Sequence, residues 1–290
     1  MRTRPFLLHA LSPLHAGTGQ AAGIVDLPIA RYRASGIPFV PGSSIKGVLR
    51  DVRRAAVGEK DPGLLAVFGP ETGNASEHAG ALVVGDARLL ALPVRSFRGT
   101  FAWVSSPLLL ELVRRDLGEG APELPIPQLA GREALVTTGS ACLHERKLYL
   151  EDLDLPAKED PAADAWARFL APHVSPGEDI FTKRFALVDD DTMSFLSDNA
   201  MQLDARVRLD SATRTVAKGA LWLEESLPPE SLLVGLLAAD RSRRNGIVLG
   251  PEQVLDLALA TAEVLQFGGK ASVGRGRCRI VPIGGAAGGA

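Results

Sequence analysis

Residues 12–37 show neither a helical nor a strand-like period, and they are rich in glycine, proline and small side chains. A stretch that long is more than a plain connector, so any fold built on it must hold an extended loop of its own. It runs into Ile37-Pro38-Phe39-Val40-Pro41-Gly42-Ser43-Ser44-Ile45-Lys46-Gly47, a backbone-rich turn that opens a helix. Ser43 or Ser44 is placed to cap that helix, and Ile45, Val48, Leu49 and Val52 give it an apolar face. Gly42 lets backbone approach a ligand closely, the serines add hydroxyl donors, and a helix N-terminus favours an anion. Lys46 adds a point charge one turn in. Asp26, in Gly23-Ile24-Val25-Asp26-Leu27-Pro28-Ile29, sets a lone carboxylate in the same loop. An anion site beside a carboxylate suits a phosphodiester. The same residues also describe an ordinary capped helix, a surface lysine and a turn aspartate.

Residues 6–11 read as a buried strand. Residues 81–84 and 87–92 are strand-like around Gly85, and 97–104 is another strand. Ser106-Pro107 starts a helix that ends at Gly118, with Leu109, Leu112 and Val113 inward. Residues 119–162 look irregular, and a short helix follows around Trp166, Phe169 and Leu170. Leu203, Ala205, Val207 and Leu209 alternate with polar residues, as does 215–223 beyond Asp210-Ser211-Ala212-Thr213, which predicts a hairpin over 203–223. Residues 251–267 predict a helix from Pro251 to a stop at Gly268, with Val254, Leu257, Ala258, Thr261 and Leu265 on one face. A strand over about 273–282 closes the pattern, and the tail 284–290 reads as disordered. The fold class is α+β: a ferredoxin-like, RRM-like βαββαβ core with large insertions, one sheet face of which is a common platform for single-stranded RNA. A single domain over 1–283 accommodates insertions at roughly 110–180 and the hairpin.

The net charge of −2 over 290 residues does not announce a polyanion binder, so any such contact must come from local basic patches. Arg50, Arg53 and Arg54 form one, Arg241, Arg243 and Arg244 a second, and Lys270, Arg275, Arg277 and Arg279 a third. Each also reads as a solvated face. Cys142 and Cys278 give neither a disulfide framework nor a zinc spacing, which fits a reducing cytoplasm. No apolar run approaches a membrane span, and the first residues read as a strand rather than a signal peptide.

Gly268-Gly269-Lys270-Ala271-Ser272-Val273-Gly274-Arg275-Gly276-Arg277 is a second candidate phosphate cradle, with four glycines and three basic residues between a helix and a strand. Asp26 could bind a divalent cation or accept a proton, and His15, in Pro13-Leu14-His15-Ala16-Gly17-Thr18-Gly19, could move one. Glu224 or Glu225 could complete an acidic site; paired glutamates after a strand are also commonly just solvated.

Leu14-His15-Ala16-Gly17-Thr18-Gly19, Val25-Asp26-Leu27-Pro28-Ile29 and Pro41-Gly42-Ser43-Ser44-Ile45-Lys46-Gly47-Val48-Leu49-Arg50 resemble the N-terminal signature of the RAMP superfamily of CRISPR-associated proteins. The C-terminal glycine-rich loop resembles that superfamily's other hallmark. Residues 85–104 are similar to the repeated backbone subunit of type III-B (Cmr) effector complexes. The resemblance implies copies stacked along a guide RNA with the other subunits of the complex, cutting a complementary target RNA at regular intervals. It implies guide contacts from Gly42, Ser43, Ser44, Lys46 and Arg50, and from Gly268, Gly269, Lys270, Gly274 and Arg275. The 203–223 hairpin resembles a thumb that flips a nucleotide out of the guide–target duplex. Asp26 matches the catalytic aspartate, acting directly or through Mg²⁺ or another divalent cation, and His15 and Glu224 match positions near it. A non-catalytic RNA-binding scaffold is the alternative.

Overall fold

The computed structural model describes residues 1–17, 25–71, 73, 76–118, 122–129, 131–210, 212–260 and 264–283. Thr18, Gly19, Gly23, Ile24, Ser211, Thr261 and the tail 284–290 lie outside them. Strand β1 (Arg2–Ala10) divides its side chains by alternation: Phe6, Leu8 and Ala10 enter one core and Leu7 another. No regular element then follows among the described residues until β2 (Phe39–Val40). Isolated bridges hold the long loop instead, from Leu14 to Leu227, Gly17 to Ile29, Leu27 to Glu224 and Arg31 to Pro38.

Helix α1 (Gly42–Val57) buries Ile45 and Leu49, with Val48 and Val52 packed at the core's rim. Neither serine caps it. Pro41 is the N-cap, Ser43 and Ser44 are exposed, and the Gly42 amide donates to Asp86 Oδ1 at 2.8 Å. An aspartate from a distant turn thus supplies the anion that the helix start favours. Helix α2 (Pro62–Phe68) was not visible as a period, being two turns long; Asp61 caps it through the Leu64 amide at 2.7 Å.

Strands β3 (Leu82–Val84) and β4 (Ala87–Arg95) flank Gly85 as expected. Strand β5 (Phe101–Ser105) starts later than predicted, because Gly99 and Thr100 turn with positive φ. Helix α3 (Pro107–Leu117) buries Leu110 with Leu109 and Val113, leaving Leu112 only half-buried. The expected irregular stretch 119–162 in fact holds β6 (Ala134–Val136), β7 (Leu143–His144), β8 (Lys147–Leu150) and β9 (Leu153–Glu159). Positive-φ turns at Glu145, Arg146 and Glu151 cut these strands too short to show a period. Helix α4 (Pro161–Val174) buries Trp166 and Leu170, and β10 (Phe185–Val188) and α5 (Asp190–Asn199) follow.

Strands β11 (Gln202–Leu209) and β12 (Val216–Ser226) form the predicted hairpin as a sheet of their own. After β13 (Leu232–Ala239), α6 (Pro251–Leu259) ends well before Gly268. Leu265 belongs instead to β14 (Val264–Gln266), paired with Cys278 of β15 (Arg277–Pro282). It is buried in either conformation, which is why it matched the helical period.

In the main sheet β15, β1, β13 and β4 are consecutive and antiparallel. Helix α1 lies between β1 and β4 in the chain and α6 between β13 and β15, so these elements are the expected ferredoxin-like core. The chain between β4 and β13 lengthens the same sheet through β5, β10, β6, β9, β8 and β7. Helices α1, α2 and α6 share one core with Phe6, Leu8 and Leu233. The opposite face is not an open RNA platform: Leu7, Leu90, Leu232 and Val234 are packed with Leu110, Val113, Trp166 and Leu170 of α3 and α4. Strands buried on both faces need near-continuous apolar runs, and β13 is one. Polar chemistry is therefore left to loops, sheet ends and the hairpin. Among the described residues no helix is long and apolar enough to cross a membrane.

A Cβ on Gly235 would stand 2.5 Å from the Phe6 ring and 3.2 Å from Ala87 Cα, at the centre of the ferredoxin-like strands. Gly235→Ala is expected to cost about 1–3 kcal/mol by overpacking. A lower urea midpoint at constant slope checks this, and an unchanged midpoint contradicts it.

Candidate nucleic-acid interface and cleavage site

Two residues of β12, Leu223 and Glu225, gather the long loop. The Leu223 amide donates to Asp26 Oδ2 at 2.8 Å. Leu27 donates its amide to the Leu223 carbonyl at 3.1 Å and accepts from the Glu225 amide at 3.0 Å. Glu225, buried, fixes the next turn by accepting from the Ile29 amide at 3.0 Å and from Arg31 at 2.7 Å. Asp26 itself is exposed.

His15 reaches the same strand through Nδ1, 2.7 Å from the Glu225 carbonyl. A carbonyl only accepts, so Nδ1 carries a proton, and in the neutral tautomer the lone pair lies on Nε2. Gly17 leaves that nitrogen clear, since a Cβ there would fall 2.4 Å from Nε2. The structure thus brings His15, Asp26 and Glu224 to one edge.

Glu224 does not stand free. It is 2% exposed and ion-pairs with Lys270; Trp222 Nε1 donates to it at 2.6 Å and Arg206 Nε at 3.4 Å. Burial works to raise its pKa, but Lys270, Trp222 and Arg206 outweigh burial and hold it below the usual glutamate range. Asp204 follows the same logic: burial is outweighed by hydrogen bonds from Arg275 and Gln202, so its carboxyl is held low. Arg275 is itself buried, donating to Asp204 at 2.7 Å and to Ser226 Oγ at 3.2 Å. In the same loop Gly268, at φ 68°, abuts the His15 carbonyl, which a Cβ would meet at 2.2 Å. Gly269 and Gly274 have open space around them.

The α1 start forms a second locus. The freedom of Gly42 is used by the protein itself, since a Cβ there would lie 2.3 Å from the Val84 carbonyl. Lys46 donates to the Leu82 carbonyl at 3.0 Å and lines an open cleft of about 560 Å³ with Ser43, Asp240 and Arg243. Burial lowers the Lys46 pKa, and Arg50 lowers it further. Arg50 pairs with Glu71 at 2.7 Å.

Sequence reading missed Asp86, Asp204, Arg206 and Trp222. Polar alternation with the hairpin's apolar residues was the available signal for Asp204 and Arg206 alone. It also left open which hairpin face points outward: Leu203, Val207, Leu209, Val216 and Leu221 are exposed, while Gln202, Asp204 and Arg206 are half-buried at the base.

The sequence model of the RAMP superfamily matches residues 7–279. The chain belongs to the RAMP superfamily. It is 33% identical over 285 residues to the CRISPR system Cmr endoribonuclease Cmr4 of Pyrococcus furiosus, covering 94% of this chain and 93% of that protein. Its fold matches the crystal structure of oligomeric Cmr4 from Pyrococcus furiosus, with a TM-score of 0.75 and 24% identity over 98% of this chain and 100% of that one. It also matches a chain of the type III-B Cmr-beta complex bound to cognate target RNA, with a TM-score of 0.74 and 18% identity over 97% of each chain. In this RAMP chain the loop carrying Asp26, the hairpin and the glycine-rich loop are held against one another.

Among the described residues no three His, Cys, Asp or Glu side chains gather into a metal cage. The donor set fits Mg²⁺ only in its substrate-assisted form, one carboxylate completed by phosphate oxygens and water. Asp26 would be the residue for that role, because only its Oδ2 is engaged among the described residues while Glu224 is committed to Lys270.

A folded-state pKa below the unfolded one gives stability that is present above the usual glutamate range and lost as pH falls through the folded value. Glu224→Gln is expected to cost about 1–2 kcal/mol at neutral pH. The thermal-midpoint gap to wild type should narrow as pH falls below the usual glutamate range and through the depressed folded-state value, where the wild-type side chain also becomes neutral. A gap independent of pH contradicts the ion-pair account.

Proposed function

We propose that this chain is a guide-RNA-binding backbone subunit of a type III-B antiviral effector complex and the endoribonuclease that cuts the complementary target RNA. Further copies of the chain, the other subunits of the complex, guide CRISPR RNA and single-stranded target RNA are its partners, and the cytoplasm is its place of action. The observation that carries the reading is the attachment of Asp26 and His15 to Leu223 and Glu225, two residues apart on one strand at the base of an exposed apolar hairpin. Kinship with a Cmr endoribonuclease supports the reaction class.

Guide phosphates are assigned to Ser43, Ser44, Lys46 and Arg50 around the α1 start and to the backbone amides of Gly268 and Gly269, the Gly274 amide being taken by the Ala271 carbonyl at 3.0 Å. Gly42 supports the α1 cleft by its close approach to Val84. The hairpin's exposed Leu203, Val207 and Leu221 suit stacking against a splayed duplex. Once a base is splayed, the ribose 2′-hydroxyl can align with its own 3′-phosphorus, and most of the acceleration comes from that orientation. The 2′-oxygen bonds to phosphorus, the bond to the 5′-oxygen breaks, and a 2′,3′-cyclic phosphate and a 5′-hydroxyl result. Asp26 takes the hydroxyl proton, and the departing 5′-oxygen takes one from water, with His15 Nε2 available to accept that proton first and hand it on. A divalent cation held by Asp26 would supply charge stabilisation on the phosphate.

Asp26→Asn is expected to abolish target cleavage by the reconstituted guide-bound complex while guide affinity stays at wild type. Full-rate cleavage by that complex makes the chain a scaffold. Lys46→Ala should weaken guide binding and reduce the slope of log affinity on log salt by about one. An unchanged slope removes Lys46 from the phosphate contacts.

A further inference from the structure

Asp204 and Glu224 face each other directly across the β11–β12 ladder. Like charges so placed repel and weaken a hairpin. Each carboxylate meets its own cation from the glycine-rich loop: Arg275 Nη2 donates to Asp204 at 2.7 Å, and the Lys270 ammonium pairs with Glu224. The guanidinium spans both strands, because its Nη1 donates to Ser226 Oγ on β12 at 3.2 Å. Arg275 is only 8% exposed and Ser226 is fully buried, so this fork is turned into the protein. Lys270 holds a left-handed backbone at φ 70°, which is unfavourable for a residue with a side chain and persists where surrounding contacts impose it. The loop's other flank is fixed to the His15 segment, with the Gly276 amide donating to the Pro13 carbonyl at 2.9 Å and Gly268 against the His15 carbonyl.

We propose that Lys270 and Arg275 are positioning residues, a two-cation clasp that sets the hairpin's base against the Asp26–His15 edge, and not guide-phosphate ligands. The loop touches the His15 segment on one side and both hairpin strands on the other. Its consequence for cutting rests on the function proposed above; the clasp itself does not. With the clasp open, the hairpin base, and Asp26 bonded to it, shifts relative to the glycine-rich loop, so cuts lose their fixed positions while the guide stays bound.

The test is hydrogen exchange on the free full-length chain, beside guide binding by the same variants. Arg275→Ala and Asp204→Asn should each raise exchange at 202–206 and 222–226 about tenfold, and the double variant should add little to either. The swapped pair Arg275→Asp with Asp204→Arg should restore protection. Lys270→Met should raise exchange around 222–224. Where Arg275→Ala disturbs the whole chain, Arg275→Lys serves, since one ammonium cannot span both strands; raised exchange at the same amides supports the clasp. Guide binding by Arg275→Ala should keep the wild-type salt slope. A slope smaller by about one with unchanged exchange makes Arg275 a phosphate ligand and overturns the clasp. Additive exchange effects without rescue by the swap overturn it too. Absence of guide binding by the wild type would count against the proposed function and leave the exchange result standing.

Discussion

Backbone hydrogen bonds between residues 25–29 and strand β12 hold the proposed cleavage site together. Leu27 lies against Glu224 as if it were one residue of a further strand, and the Leu223 amide takes hold of Asp26 in passing. Each group is placed by main chain rather than by a long side chain. Main-chain bonds fix geometry at little rotamer cost, which is what a reaction dominated by alignment needs. Glu225 reinforces the arrangement from beneath by binding Ile29 and Arg31, and its carbonyl selects the His15 tautomer.

The core explains why the chemistry sits at this edge. Helices on both faces of the sheet remove the open surface that a small RRM-like domain offers to RNA. What remains is the rim: the α1 cleft with Lys46, the glycine-rich loop and the hairpin. The hairpin has no layer to cover it, so its apolar residues stay exposed while its polar residues bind the loop below. That inversion of the usual pattern marks a contact surface and not a misplaced core.

The ferredoxin-like core and the groups placed by short motifs were legible in the sequence. Strand β1, helix α1 and the hairpin each show a sustained period, and His15, Asp26 and Lys46 sit in compact segments of glycine and proline. What was hidden depends on pairing between distant residues. Nothing near Gly42 says that its amide goes to Asp86, so the local serines looked like the cap. Nothing near Lys270 or Arg275 says that Glu224 and Asp204 neutralise them, so the loop looked like a free basic patch. The strands between residues 134 and 159 were hidden for a different reason, being too short and too often broken by turns to carry a period.

The most direct measurement of the central claim, that this edge aligns a ribose hydroxyl for attack, uses a target RNA with one 2′-deoxy nucleotide. The substitution is placed immediately 5′ of a single mapped cut in the guide-bound complex. The account predicts that this cut disappears while neighbouring cuts persist, each ending in a 2′,3′-cyclic phosphate. Undiminished cutting at the substituted position would contradict it, because the nucleophile would then have to be water.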